Sequence, residues 1–411
     1  MTLREFITNN RNALHMIWRS DASSLSEAEL SQTINFARIT LIVGLVFLHY
    51  GGFPNALRSP FNGMNIDQHQ FATFINSFIL FFFFSVVPLL SIISGWLFFS
   101  FSEDPKGALT RRIRRRFTSL YLPLVCWNAL YLAIFLGLFA LFPNHGLLSA
   151  IDIDFKTAIW KDYVNAVFAL TKNPIGFQFW FVRDLFVTIL ISPLLWVCLR
   201  RAPWAGGAVL VTIWLSGYEV PGFLRMDVPT FFYFGGLLRL YKMPVEISRR
   251  ATAVLLVAYI LLAALRAMAP YFVADAAYTQ FGVLATATRA MRIVGVLACW
   301  GIFQRVALTQ LGTTVARYGG VAFFLHSAHF PLLAVVKQAL WYLVPTDTDF
   351  WMLIHYVVSV TITVAIGLVS GLFIARYLPG LFALSNGGRD IREARQRCAI
   401  LTGDSKPTHG I

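Results

Sequence analysis

Apolar residues gather into ten runs separated by short polar or basic segments. The runs fall at about 35–51, 72–101, 118–141, 179–199, 205–218, 229–241, 250–268, 282–304, 319–343 and 350–375. Most reach about 17 residues, enough for a helix rising 1.5 Å per residue to cross a bilayer core. The runs at 205–218 and 229–241 are the short ones. This pattern predicts an all-α fold: a polytopic transmembrane helix bundle of about ten spans.

The basic segments orient it. RRIRRR at 111–116, Arg200-Arg201, Arg239 with Lys242, Arg305 with Arg317, and Arg389, Arg392, Arg395 and Arg397 all fall on one side when successive runs alternate. Positively charged loops stay in the cytoplasm, so both termini are expected there. The longest outside segment is then 142–178. Before the first run, Leu3, Phe6, Ile7, Leu14, Ile17 and Trp18 alternate with Arg4, Arg11 and Arg19, which suits a segment lying on the membrane surface. Ser24 followed by Glu27 resembles a capping box from which a helix runs into the first span. Three parts follow: a cytoplasmic N-terminal segment at 1–34, a membrane domain at 35–377 and a basic cytoplasmic tail at 378–411. A cleaved signal peptide is not expected, since the start lacks that pattern.

Composition agrees. The chain is 57% hydrophobic and 13% charged, about half the charge of a soluble domain. Its net charge of +14 comes largely from the basic loops and tail, so nucleic acid is not needed as a partner. Cys126, Cys198, Cys299 and Cys398 include no CxxC and no pair in an outside loop, so neither a disulfide nor a metal site is expected. There is no internal repeat of the kind transporters carry.

Candidate chemistry concentrates in the first run, NFARITLIVGLVFLHY, through Arg38 and His49. On a helix these share a face about 16 Å apart. That predicts Arg38 at the mouth of a buried site and His49 deep inside it. Ionisable groups within a span are costly and usually face a cavity or a partner. An imidazole there suits proton transfer, and interhelical packing is the alternative. Arg38 could equally snorkel to the inner interface. The 111–116 arginines could grip phosphates or could serve topology alone. Trp180, Arg183 and Asp184 open the fourth run. Adjacent residues point about 100° apart on a helix, so Arg183 and Asp184 need not pair, and an interfacial anchor is the plainer reading. His326 and His329 lie one turn apart, with structural hydrogen bonding favoured over metal. Arg289 and Arg292 share that spacing and call for an anionic partner or water. Ser94 has no base at a recognisable spacing.

Together these residues resemble the acyltransferase-3 superfamily over about 35–380. The matching elements are Arg38, ten residues, then His49; Ser94-Gly95-Trp96-Leu97; Arg116 followed by Ser119, Leu120, Pro123 and Trp127; Trp180, Phe181, Arg183, Asp184 and Leu185 followed by Ser192-Pro193; and His329, Phe330 and Pro331. Leu124 stands where the family usually has tyrosine, so no role for that tyrosine carries over.

The resemblance implies a multi-pass enzyme of the inner or plasma membrane. It would move an acyl group, commonly acetyl, from cytoplasmic acetyl-CoA to a sugar hydroxyl of a surface polysaccharide or lipid-linked glycan. Arg38, Arg112, Arg115 and Arg116 would hold the CoA head. His49 would act as base or acyl carrier, with Arg38 assisting. Trp180, Arg183, Asp184 and His329 would meet the acceptor. Its partners would be the bilayer, acyl-CoA, the glycan and polysaccharide-assembly proteins. No soluble SGNH-type domain is expected. A transporter or flippase, and an assembly partner without chemistry, are the competing readings.

Overall fold

Runs of apolar side chains in lipid must satisfy their backbone polar groups internally, which favours helix throughout. The computed structural model describes residues 25–54, 56–100, 105–274, 278–279 and 281–388. Among these there are helices and no strand. The amphipathic N-terminal pattern, Ser24, Cys398 and the tail arginines lie outside the described residues.

Helix α1 spans Glu27–His49 and begins with a capping box formed by Ser26 and Glu29, two residues beyond the expected Ser24–Glu27. It runs straight into the first apolar run. Then come α2 (Gln70–Phe82), a 3-10 turn, and α3 (Val86–Phe98), which together form one candidate span. Helix α4 (Pro105–Arg116) passes through a π turn at Phe117–Tyr121 into α5 (Leu122–Leu141). In the outer segment lies α6 (Trp160–Phe168).

Helices α7 (Trp180–Leu190) and α8 (Ser192–Arg201) meet at a 61° bend. Pro193 lies in the first turn of α8, where its missing N–H stops the helical ladder from continuing unbroken. Next are α9 (Pro203–Ser216), α10 (Asp227–Leu240), α11 (Arg249–Ala267), α12 (Val283–Val306), α13 (Gln310–Ala316), α14 (Ala322–Trp341), α15 (Asp349–Tyr377) and α16 (Pro379–Ser385).

All ten apolar runs are therefore helical. Among the described residues, seven segments are long and apolar enough to cross a membrane, and the bent α7–α8 pair makes an eighth. Helices α9 and α10 have 14 residues each, about 21 Å against a core of about 30 Å, so length alone does not carry them across.

The first helix is the hub. It packs against α2, α3, α12, α13, α14 and α15. Its buried Gln32 donates to the Ala307 carbonyl at 2.5 Å and to Thr313 at 2.8 Å, fixing its inner end. The closest helix pair is α3 with α10. A Cβ on Gly95 would stand 2.0 Å from the Phe232 carbonyl oxygen, and one on Gly235 would stand 2.1 Å from that of Ile92. The Ser-Gly-Trp-Leu element is thus a backbone-to-backbone contact. Its Ser94 hydroxyl donates to Leu90 O in its own helix.

Candidate active site

Two features face each other along α1. At the inner end a cavity of about 740 Å³ is lined by Arg38, Arg112, Arg115, Arg116 and Arg239, with Glu27 its one carboxylate among the described residues. All four arginines expected to hold a CoA head thus meet in one cavity. Arg239, read in the sequence only as a mark of the inner side, joins them and stacks over Trp96 at 5.2 Å. Arg112 also secures the end of α3, donating to Leu97 O at 2.7 Å and to Phe98 O. Five guanidinium groups against one carboxylate make a site for a polyanion, and the guanidinium fork suits phosphate oxygens.

Eleven residues further along α1, about 16 Å at helical rise, stands His49. Its Nδ1 lies 2.8 Å from Nε2 of His329, and the rings are parallel with centroids 5.0 Å apart. His329 is fully buried. Its own Nδ1 lies 2.6 Å from the carbonyl oxygen of His326. A carbonyl only accepts, so Nδ1 of His329 carries the proton. In a neutral His329, Nε2 is then an acceptor, and Nδ1 of His49 must be the donor. That leaves the lone pair of His49 Nε2 unused by the pair. Phe177 packs edge-on against His49, centroids 4.8 Å apart.

The relay depends on a broken helix. Helix α14 is interrupted at Phe330, whose backbone is extended (φ −116°, ψ 132°), immediately before Pro331. Proline disfavours helical geometry in the residue before it and brings no N–H. The Ser327 carbonyl therefore loses its helical donor. Tyr131 Oη and Gln178 Nε2 donate to it instead, at 2.5 and 2.9 Å. Gln178 also reaches Phe330 O at 3.1 Å. Tyr131 and Gln178 thus hold the segment that aims His329.

Arg183 and Asp184 correct the sequence expectation, because they do pair, at 2.7 Å, and both are buried. Arg183 also donates to the carbonyls of Ala169 (3.0 Å), Leu170 (2.6 Å) and Gly222 (2.5 Å). Asp184 accepts from the backbone N–H groups of Leu224 and Arg225. The pair clamps the 222–225 turn to the start of α7. The guanidinium of Arg225, carried on that turn, lies over the Trp180 ring at 4.6 Å. Sequence reading missed Arg225, since nothing in a polar turn marks which arginine will stack on Trp180.

The anionic partner called for by Arg292 is Asp227: the two form an ion pair, and Trp214 Nε1 donates to the same carboxylate at 3.1 Å. Arg289 donates to Leu215 O at 3.2 Å. His326 packs edge-on against Phe179 and Phe181. Among the described residues no three His, Cys, Asp or Glu side chains gather as a metal-ligand group.

A half-buried, tautomer-fixed imidazole sharing one membrane helix with a polyanion cavity is the arrangement that the site presents. The family model described as "Acyltransferase domain" matches residues 32–373. The chain belongs to the acyltransferase-3 family. The match covers the hub helix from Gln32 onward, both arginine groups and the His49–His329 pair. The chain is also 26% identical over 368 residues to the succinoglycan biosynthesis protein ExoH of Rhizobium meliloti (strain 1021), covering 88% of this chain and 94% of that one. No solved structure matches. The acyltransferase-3 family and the long apolar helices together make this a multi-pass membrane protein of an acyl-transferring family.

Proposed function

We infer that the protein is an inner-membrane O-acyltransferase that moves an acyl group, acetyl in the simplest case, from cytoplasmic acyl-CoA to a sugar hydroxyl of a surface polysaccharide or lipid-linked glycan. The observation that carries this reading is the unused lone pair of His49 Nε2, set by His329 and lying about 16 Å along one helix from a cavity of five arginines. The CoA phosphates bind Arg38, Arg112, Arg115, Arg116 and Arg239. The pantetheine arm runs along α1 and brings the thioester to His49. The relative's name, a succinoglycan biosynthesis protein, supports a polysaccharide acceptor.

The step balances at His49. Nε2 takes the proton of the sugar hydroxyl as its oxygen attacks the thioester carbonyl carbon. The tetrahedral intermediate collapses with cleavage of the C–S bond. The departing thiolate takes the proton back from Nε2, leaving CoA thiol and a sugar ester. While His49 is doubly protonated, its Nδ1–H still donates to Nε2 of His329, so the charge has a fixed partner. A positioned base of this kind contributes about 10²–10⁴-fold.

The test is transfer of label from acyl-CoA to native cell-envelope glycan in membranes holding wild-type protein or His49→Ala at equal expression. Loss of about 10²-fold or more in the variant is expected. Equal label in both removes His49 from the chemistry. Absence of transfer in either, with folded protein and native glycan present, favours a transporter or assembly partner.

A further inference from the structure

On the outer side of the site Arg183 is paired with Asp184 and Arg292 with Asp227. Arg289 donates to a carbonyl. Arg225 makes no side-chain hydrogen bond or ion pair among the described residues, although the carboxylates of Asp227 and Asp184 lie near enough for their charge to reach it; its guanidinium lies over the face of Trp180, and it stays exposed while the turn around it is held by buried groups. Aromatic stacking orients a guanidinium while leaving its N–H edge open. Four bonds from the Arg183–Asp184 pair hold the 222–225 turn, one of them to the Arg225 backbone N–H, and Trp180 holds the plane of the guanidinium. Nothing in packing requires an arginine there.

Arg225 is linked to the chemistry through Trp180. Trp180 lies one helical turn from Phe177, which packs on His49. The Arg225 charge is near enough to act on the His49 ring. The phosphates of an acyl-CoA sit at the opposite end of α1, so they are not what Arg225 waits for.

We propose that Arg225, presented by Trp180 and the Arg183–Asp184 clamp, binds a carboxylate on the reacting end of a substrate. One guanidinium edge offers two parallel donors, the match for one carboxylate. That carboxylate has two sources. It can be the far end of a dicarboxylic acyl group carried on CoA, or an acid group on the sugar acceptor. The proposal rests on the acyltransferase reading and names the substrate class of that same site. Trp180, Arg183 and Asp184 then serve recognition through Arg225, as positioning residues.

The test compares two matched pairs in membranes holding wild type, Arg225→Gln or Arg225→Lys. The first pair is succinyl-CoA against acetyl-CoA with one acceptor. The second is an acidic glycan against its carboxyl-reduced form with one donor. Wild type should favour the carboxylate member of one pair by about tenfold or more in kcat/KM, which identifies the source. Arg225→Gln should bring that ratio to about one, and Arg225→Lys, which keeps the charge but not the fork, should fall between. Where Arg225→Gln is too slow to rank, the Arg225→Lys ratio decides: lowered supports the proposal, unchanged overturns it. Ratios alike in wild type and variant for both pairs also overturn it, whatever the absolute rates. Transfer that does not depend on His49 in any combination fails the underlying acyltransferase reading instead, a result separable from the ratios.

Discussion

His329 is the residue on which the proposed chemistry turns, although it meets no reactant in the scheme above. It converts the position of a carbonyl, His326 O, into the protonation pattern of His49. Replacing it with leucine leaves His49 Nδ1 without its acceptor and lets the ring choose the other tautomer, with the proton on Nε2. Losing a hydrogen bond to a group that becomes charged costs about 1.5–3 kcal/mol. Initial rates of acyl transfer should therefore fall about tenfold to a hundredfold in His329→Leu. His329→Gln keeps a side-chain acceptor and should recover part of the loss. Equal rates in the leucine variant and wild type would deny His329 this role. His49 and Arg38 were legible in the sequence because an ionisable residue stands out in an apolar run. The partnership with His329 was not, since 280 residues separate them and a histidine looks the same whether it orients, ligates or packs.

At the scale of elements, glycine placement decides which helices can meet. Gly95 on α3 and Gly235 on α10 let two backbones touch, and a methyl group at either would overlap a carbonyl oxygen. Gly95→Ala should force the helices apart and cost about 1–3 kcal/mol, read as a lower unfolding temperature in detergent. An unchanged midpoint would mean that α3 and α10 shift freely. Through this contact α10 also holds Arg239 against Trp96 at the inner cavity.

The pattern of apolar runs located the helices at all ten of their positions, because helix is the only cheap structure for such runs in lipid; α4, α6, α13 and α16 lie outside those runs. It did not show the bend at Ile191 or the break at Phe330, where a proline acts inside a run that is apolar on both sides. Nor did it show that α9 and α10 stop short of a full crossing. Run length reports where apolar residues end, and in α10 other helices, not lipid, bury much of what lies between.

Across the whole molecule, charge is sorted by depth. Among the described residues the inner cavity gathers five arginines around one carboxylate, whereas on the outer side Arg183 and Arg292 are paired with Asp184 and Asp227. Binding at the inner cavity should therefore weaken with ionic strength. Changing Arg115 and Arg116 together to glutamate should raise KM for acyl-CoA about tenfold or more while lowering kcat less. Steady-state kinetics in proteoliposomes checks it, and an unchanged KM would move the donor head elsewhere. The four arginines Arg38, Arg112, Arg115 and Arg116 were readable as a group because three come from one basic run. Arg239 was masked by its second duty as a marker of the cytoplasmic side.

Helix α1 is unbroken from Glu27 to His49, while α7–α8 bend and α14 breaks around it. In the proposed reaction an unbroken helix with an anchor at one end and a base at the other is a ruler. It would set the height at which an acyl-CoA thioester presents its carbonyl, whatever acyl group hangs from it. Chains of different length or charge then differ only beyond that mark, on the Arg225 side. The protein can thus change which acyl group it accepts by altering the outer turn, without recalibrating the donor site.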